Sequence, residues 1–337
     1  MPSTSSQKID SNSCRGEAAN IAKNILSYMK ENFVNPRNLK AIGCDGTNVN
    51  TGWKGGVIRT IEVQIGKPLQ WVVCLLHANE LPLRHLLQHF DGQTKGPNSF
   101  SGPIGLLLAS CETKPIQKFE SIDIVLPEVD KNSLSTDQRY LYQICCAIKN
   151  GFCSEALSKR DPGKINHARW LTTANRLLRL YVATTNPSQN FLLLVEFITK
   201  VYAPMWFNIK SRPSIEYGSI HLWQTINKSR HPPEEVKIII DKVIHTNAYF
   251  AHPENILTAM IAGERSHIRE LGFRRILKAR TRDQPEKVRV FKIPAINWNA
   301  ENYSELINWN ECFLTEPPLT MDFKNEELLA AIRIIVS

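Results

Sequence analysis

Open α/β sheets meet their ligands at the carboxyl ends of their strands, and Asp45 stands at such a place in this sequence. The apolar run 39–44 reads as a strand that stops at Asp45-Gly46-Thr47-Asn48. Oxygen donors on a flexible turn of this kind can coordinate a divalent ion. The same residues also suit a plain turn, since Asp and Asn cap helices and open turns through neighbouring backbone groups. Further along, Cys74 and His77 in Cys-Leu-Leu-His, with His85 and His89, have the residue types of a zinc site. Leu83, Leu86 and Leu87 lie among them as core positions of one helix. The competing reading is therefore a buried Cys/His pair that packs a strand-to-helix junction. A third group is cationic. Arg169 and Arg176 lie seven apart on one helix. Arg265 with Arg269, and Arg274 with Lys278, recur at a spacing of four, with Arg275 beside them. Such a ridge can follow a phosphate backbone without reading bases, or it can be a solvated face.

These groups need elements to hold them. Residues 17–31 have helical spacing, with Ala18, Ile21, Ala22, Ile25, Leu26 and Met29 on one side. A helix over 53–65 and a second strand over 69–76 follow. The second strand is apolar without interruption around Trp71-Val72-Val73, the pattern of burial on both faces. A helix over 78–90 comes next despite Pro82. The order helix, strand, helix, strand, helix predicts parallel neighbours in an α/β layer. From 91 to 132 the chain is punctuated by Gly and Pro and reads as a long connection. Helices are then expected over 136–148, 166–184, 190–209, 220–226, 233–249 and 253–280. Residues 283–318 read as irregular, and a last helix starts at 325. The expected organisation is a polar, disordered lead-in at 1–16, an α/β core at 17–132, a helical region at 133–282 and an irregular C-terminal segment at 283–337.

At 337 residues, with 42% hydrophobic and 22% charged residues, the chain has the composition of a globular protein. Its N-terminus lacks the apolar block of a secretory signal, and no apolar run reads as a membrane span. Eight cysteines, thinly spread, read as reduced core thiols of an intracellular protein. The net charge is +9, and residues 260–292 carry ten Lys/Arg against four Asp/Glu. That clustering favours a polyanion-facing surface. No nucleotide-binding glycine loop, nucleophile elbow or zinc-finger cysteine pair is present. An Asp-x-Asp-Gly-Thr phosphatase signature would need a carboxylate nucleophile where Gly43 stands.

The landmarks, taken in order, resemble the hAT superfamily of DNA transposases. The matching stretches are Gly43-Cys44-Asp45-Gly46-Thr47-Asn48, then Cys74-Leu75-Leu76-His77-Ala78-Asn79-Glu80-Leu81, then Arg169-Trp170. The resemblance covers about 17–181. It implies an α/β fold that is mostly α by residue count, a partial ribonuclease-H-like core with a large helical insertion. It also implies a centre in which three carboxylates hold two Mg2+ or Mn2+ ions that activate water and then a DNA 3′ hydroxyl. Asp45 would be the second carboxylate. For the first, the only upstream Asp is Asp10, in the polar lead-in and not on a strand. For the third, Glu264, Glu301 and Glu305 are candidates. The family's N-terminal zinc-finger module and C-terminal dimerisation segment have no counterpart here, the pattern of a decayed, repurposed or fragmentary transposase.

The resulting expectation is a transposon-derived, catalytically impaired, nuclear protein. It binds nucleic acid, DNA above all, without sequence preference, through Arg169, Arg176, Arg265, Arg269, Arg274, Arg275 and Lys278. It has no membrane partner and can form a homo-oligomer. Two rivals stand beside it: a protein-interaction scaffold with no nucleic-acid role, and an active metal-dependent transposase or nuclease completed by residues outside this chain.

Overall fold

The computed structural model describes residues 11–92, 100–166, 170–281, 293–312, 314, 320 and 323–336. In chain order the elements begin with α1 (Ser11–Glu31), β1 (Ala41–Cys44), α2 (Asn48–Thr51), α3 (Val57–Ile65), β2 (Gln70–Val73) and α4 (Leu75–Asp91). There follow α5 (Gly105–Leu108), α6 (Thr136–Asn150), α7 (Glu155–Ser158), α8 (Trp170–Tyr181) and α9 (Gln189–Phe197), which a π-helical turn at Ile198–Tyr202 joins to α10 (Ala203–Ser211). The series closes with α11 (Gly218–Lys228), α12 (Glu234–His245), α13 (Glu254–Ala262), α14 (Ser266–Arg280) and α15 (Asn325–Val336).

The chain is thus mostly helical with one small parallel sheet. β1 pairs with β2 in the register Ala41↔Gln70 to Cys44↔Val73. The parallel pairing matches the sequence expectation, because the helix α3 between the strands supplies the crossover a parallel pair requires. Residues 11–16 belong to α1 and not to an irregular lead-in; 1–10 lie outside the described residues.

Two compact units emerge, and both are discontinuous. One comprises Met1–Cys74, Ser214–Ile220 and His245–Ser337; the other comprises Leu75–Pro213 and His221–Ile244. The chain therefore divides at Cys74 and returns at Ser214 and His245, not at the boundaries expected after 132 and 282.

In the first unit, Ala18 and Ala22 of α1, Val57, Ile58 and Ile61 of α3, and Leu69, Trp71 and Val73 around β2 form one buried cluster. Small alanines let α1 approach α3 closely, while the branched residues fill the space over the sheet. α3 stops where Gly66 adopts a left-handed conformation (φ 72°), one that glycine reaches without a Cβ clash. The helix expected over 253–280 is two helices. The break falls at Gly263, where a Cβ would come within 2.7 Å of the Tyr303 hydroxyl. Arg269 donates to the carbonyls of Gly263 and Glu264 at 2.8 and 2.5 Å, satisfying acceptors that the break exposes.

In the second unit, α6 opens with a capping box of Ser135 and Gln138 and ends at left-handed Gly151 (φ 68°), the start and stop signals of a helix. Gln189–Ser211 is one helical stretch of 23 residues, long and apolar enough to cross a membrane, but 78% of its apolar window is buried inside the protein. It is a core helix, and no membrane partner is indicated. Burial pushes the Glu80 carboxyl on α4 up to about 7 from 4.5. A carboxyl raised in the folded state holds its proton there after the unfolded chain has released its own. Stability therefore falls as pH climbs from about 4.5 to 7 and levels off above that. The unfolding free energy of the wild type, from urea titrations, should drop across this window by as much as about 3 kcal/mol. Glu80→Gln should flatten the profile and exceed the wild type only at the alkaline end.

Candidate functional site

Asp45 lies at the carboxyl tip of β1, exposed, as the sequence predicts. Its Oδ1 accepts from the Thr47 amide (3.0 Å), the Thr47 hydroxyl (2.6 Å) and the Asn50 side-chain amide (2.8 Å). The Thr51 hydroxyl returns to the Thr47 carbonyl at 2.9 Å. The carboxylate thus closes the turn that leads into α2, which is the turn reading of the sequence. Beside it, the Cys44 thiol is pushed up to about 11, first by burial and then by the charges of Asp45 and Cys74. It is no nucleophile at neutral pH.

A buried carboxylate on α3 anchors the start of β2, at the opposite end of the parallel pair from Asp45. Glu62 accepts from the Leu69 amide and from the Trp71 indole, both at 2.9 Å. The other face of the Trp71 region meets α13. The Trp71 ring stacks on His252 at 4.2 Å, and the Gln70 side chain donates to Asn255 at 2.5 Å. His252, Glu254 and Asn255 are all buried. Periodicity gives no sign of this group; its one signal in the sequence is His252-Pro253-Glu254-Asn255 at the entry to the apolar helix α13.

The metal-ligand candidates do not assemble. Cys74 is exposed, contrary to the buried Cys/His pair of the packing reading, and His77 is half-buried in the first turn of α4. His85 is held below the usual imidazole range by burial and by Arg84 and Lys242, and His89 packs edge-on against Phe90. Glu264, Glu301 and Glu305 are exposed. Among the described residues no group of three or more His, Cys, Asp or Glu is placed to hold a metal ion. A two-metal centre of Mg2+ or Mn2+ needs several converging carboxylates, and the residues around Asp45 do not fit one.

The cationic candidates divide. Arg169 lies outside the described residues. Arg176, expected on a solvent face, is only 6% exposed. Its Nε donates to the Gly163 carbonyl (2.5 Å) and its Nη1 to the Leu108 carbonyl (2.7 Å) and the Glu112 carboxylate (2.9 Å). The reason is that nearly every residue of α8 is buried, so its polar positions face loops of the same unit and not solvent. On α14, Arg269 serves the helix break, and Arg275 lies over the Trp309 ring at 3.8 Å and donates to the Ser304 carbonyl. Burial lowers Arg275 to about 10, so it keeps its charge at neutral pH. Arg265, Arg274 and Lys278 point outward. Arg265 sits 5.6 Å from the Tyr303 ring, and Arg274 pairs with Glu270 at 2.6 Å. The outward ridge is therefore narrower than its sequence suggests.

No family model, curated protein or solved structure matches this chain.

Proposed function

We propose that the chain is a transposon-derived protein of the hAT type, with a catalytically impaired core, that holds nucleic acid without sequence preference in the nucleus. The observation that carries this reading is the parallel β1–β2 pair with Asp45 at its carboxyl tip, the arrangement the resemblance assigns to one carboxylate of a ribonuclease-H-like centre. The first compact unit, interrupted by the mostly helical second, supports the idea of a core that carries an insertion. Asp45 spends Oδ1 on its own turn, and a lone carboxylate cannot organise two divalent ions. Hence the core is read as a scaffold, and binding is assigned to the outward cations Arg265, Arg274 and Lys278.

The test is a fluorescence titration of duplex DNA. Reversing Arg265, Arg274 and Lys278 to Glu should weaken binding by about tenfold or more at low salt. The slope of log affinity against log salt should fall by roughly 0.9 for each phosphate no longer neutralised, to the same extent on unrelated duplexes. A wild-type chain that ignores duplex DNA at low salt would favour the protein-interaction scaffold instead.

A further inference from the structure

The second unit contains a cavity of about 320 Å³ along α6 and α7 that no part of the proposed function uses. Its lining includes three cations, Lys131, Arg139 and Arg160, and two aromatic rings, Tyr142 and Phe152, and no Asp or Glu. The volume is at the small end of ligand pockets, which run from roughly 300 to 1,000 Å³.

The groups are ordered in advance. Lys131 Nζ sits 5.6 Å from the Tyr142 ring centre. Arg139 donates to the Leu134 carbonyl at 3.3 Å, and Arg160 donates to the Gln143 side chain. Phe152 is the telling residue, at 70% exposure. It follows the left-handed Gly151 that ends α6, and its own amide donates to the Ala147 carbonyl at 3.1 Å. Next to it, Cys153 is buried. A large apolar ring is thus presented to solvent on backbone fixed from both sides, which costs hydrophobic free energy unless something flat covers it. Of the nearby acids, Glu155 is paired with Lys159 at 2.5 Å. Glu128 is felt by the Tyr142 hydroxyl but does not line the cavity.

The geometry points to a single-stranded nucleic-acid subsite, in which an unpaired base stacks on Phe152 and the flanking phosphates meet Lys131, Arg139 and Arg160. Stacking on an exposed ring needs a base free of its partner strand, and cations around it supply backbone charge neutralisation with no base reading. The site is separate from the α14 ridge in residues and in strandedness, so either assignment can fail without the other.

The experiment is fluorescence anisotropy of a labelled oligothymidylate, about ten nucleotides long to match the usual site sizes, at low salt. The wild type binds. Phe152→Ala weakens binding by about tenfold, and Phe152→Trp retains it. The exposed-residue variants Lys131→Gln and Arg139→Gln each lower the salt slope by roughly 0.7, with circular dichroism unchanged. The variant reversed at Arg265, Arg274 and Lys278 keeps this Phe152-dependent binding. The assignment is overturned if the wild type does not bind the oligomer, if free thymidine monophosphate competes as well as the oligomer, or if folded Phe152→Ala binds as the wild type does. Should Phe152→Ala fail to fold, unchanged affinity and salt slope in both Lys131→Gln and Arg139→Gln overturn it equally.

Discussion

Replacing Arg179 with alanine should lower the stability of the second unit by about 4 kcal/mol, the largest single-residue effect expected in this protein. Its side chain is 1% exposed, and its guanidinium donates to the carbonyls of Ser158 (3.2 Å), Glu112 (3.2 Å) and Lys114 (2.7 Å). Those carbonyls belong to the last residue of α7 and to the turn at 112–114, so one planar, multi-donor group ties both to α8. Removing it leaves three half-buried acceptors without this donor, at about 1 kcal/mol each, together with a buried void of arginine size. Arg179→Lys should recover little, since a single ammonium cannot span three divergent acceptors. Urea denaturation followed by circular dichroism reads both variants. A loss under about 1 kcal/mol for the alanine variant would mean the two segments are held by other interactions.

Glu62→Ala should cost the first unit about 3 kcal/mol or more and should move β2 off its seat. Glu62 is fully buried and serves two donors at once, the Leu69 amide and the Trp71 indole, while Arg59 lies 3.6 Å from its other oxygen. Truncation removes the acceptor that both donors share and the carboxylate that lies beside the guanidinium. Glu62→Gln keeps a carbonyl oxygen for the two donors and should lose only about 1 kcal/mol. The Trp71 indole N–H proton resonance, one of seven in the chain, is a local reporter: an upfield shift is expected in the alanine variant and not in the glutamine variant. Equal losses in both would show that charge, not the accepted hydrogen bonds, is what Glu62 supplies.

The parts of this molecule that were legible in its sequence are those governed by local periodicity. Trp71-Val72-Val73 reads as a buried strand because no polar residue interrupts it. The helix between 44 and 70 makes the parallel pairing a consequence of connection geometry. Asp45 could be placed at a strand end, but its competing turn role could be decided only once Thr47 and Asn50 were seen to converge on Oδ1. Arg176 was read as a surface cation for a different reason, and Arg179 beside it shares the same disguise. Arg176 and Arg179 sit at polar positions of an amphipathic pattern, and their partners lie far away in sequence, near 108–114 and 158–163. A hydrophobic period cannot tell a solvated arginine from one that bonds loop carbonyls. Gly263 interrupts a run whose spacing stays helical on both sides. The π turn at Ile198–Tyr202 leaves the apolar pattern intact, so neither leaves a mark in periodicity. Discontinuous units escape any left-to-right division of the chain into segments.

On the proposed reading the outward cations hold nucleic acid while the carboxylate-poor core leaves it uncut. Incubating the whole chain with labelled duplex DNA and Mg2+ at low salt, and resolving the products on native and denaturing gels, tests both halves together. The expected result is a retarded, full-length duplex whose retardation fades as salt rises, the same for the wild type and Asp45→Asn. Unretarded duplex, or shortened strands produced by the wild type and absent with Asp45→Asn, would contradict it.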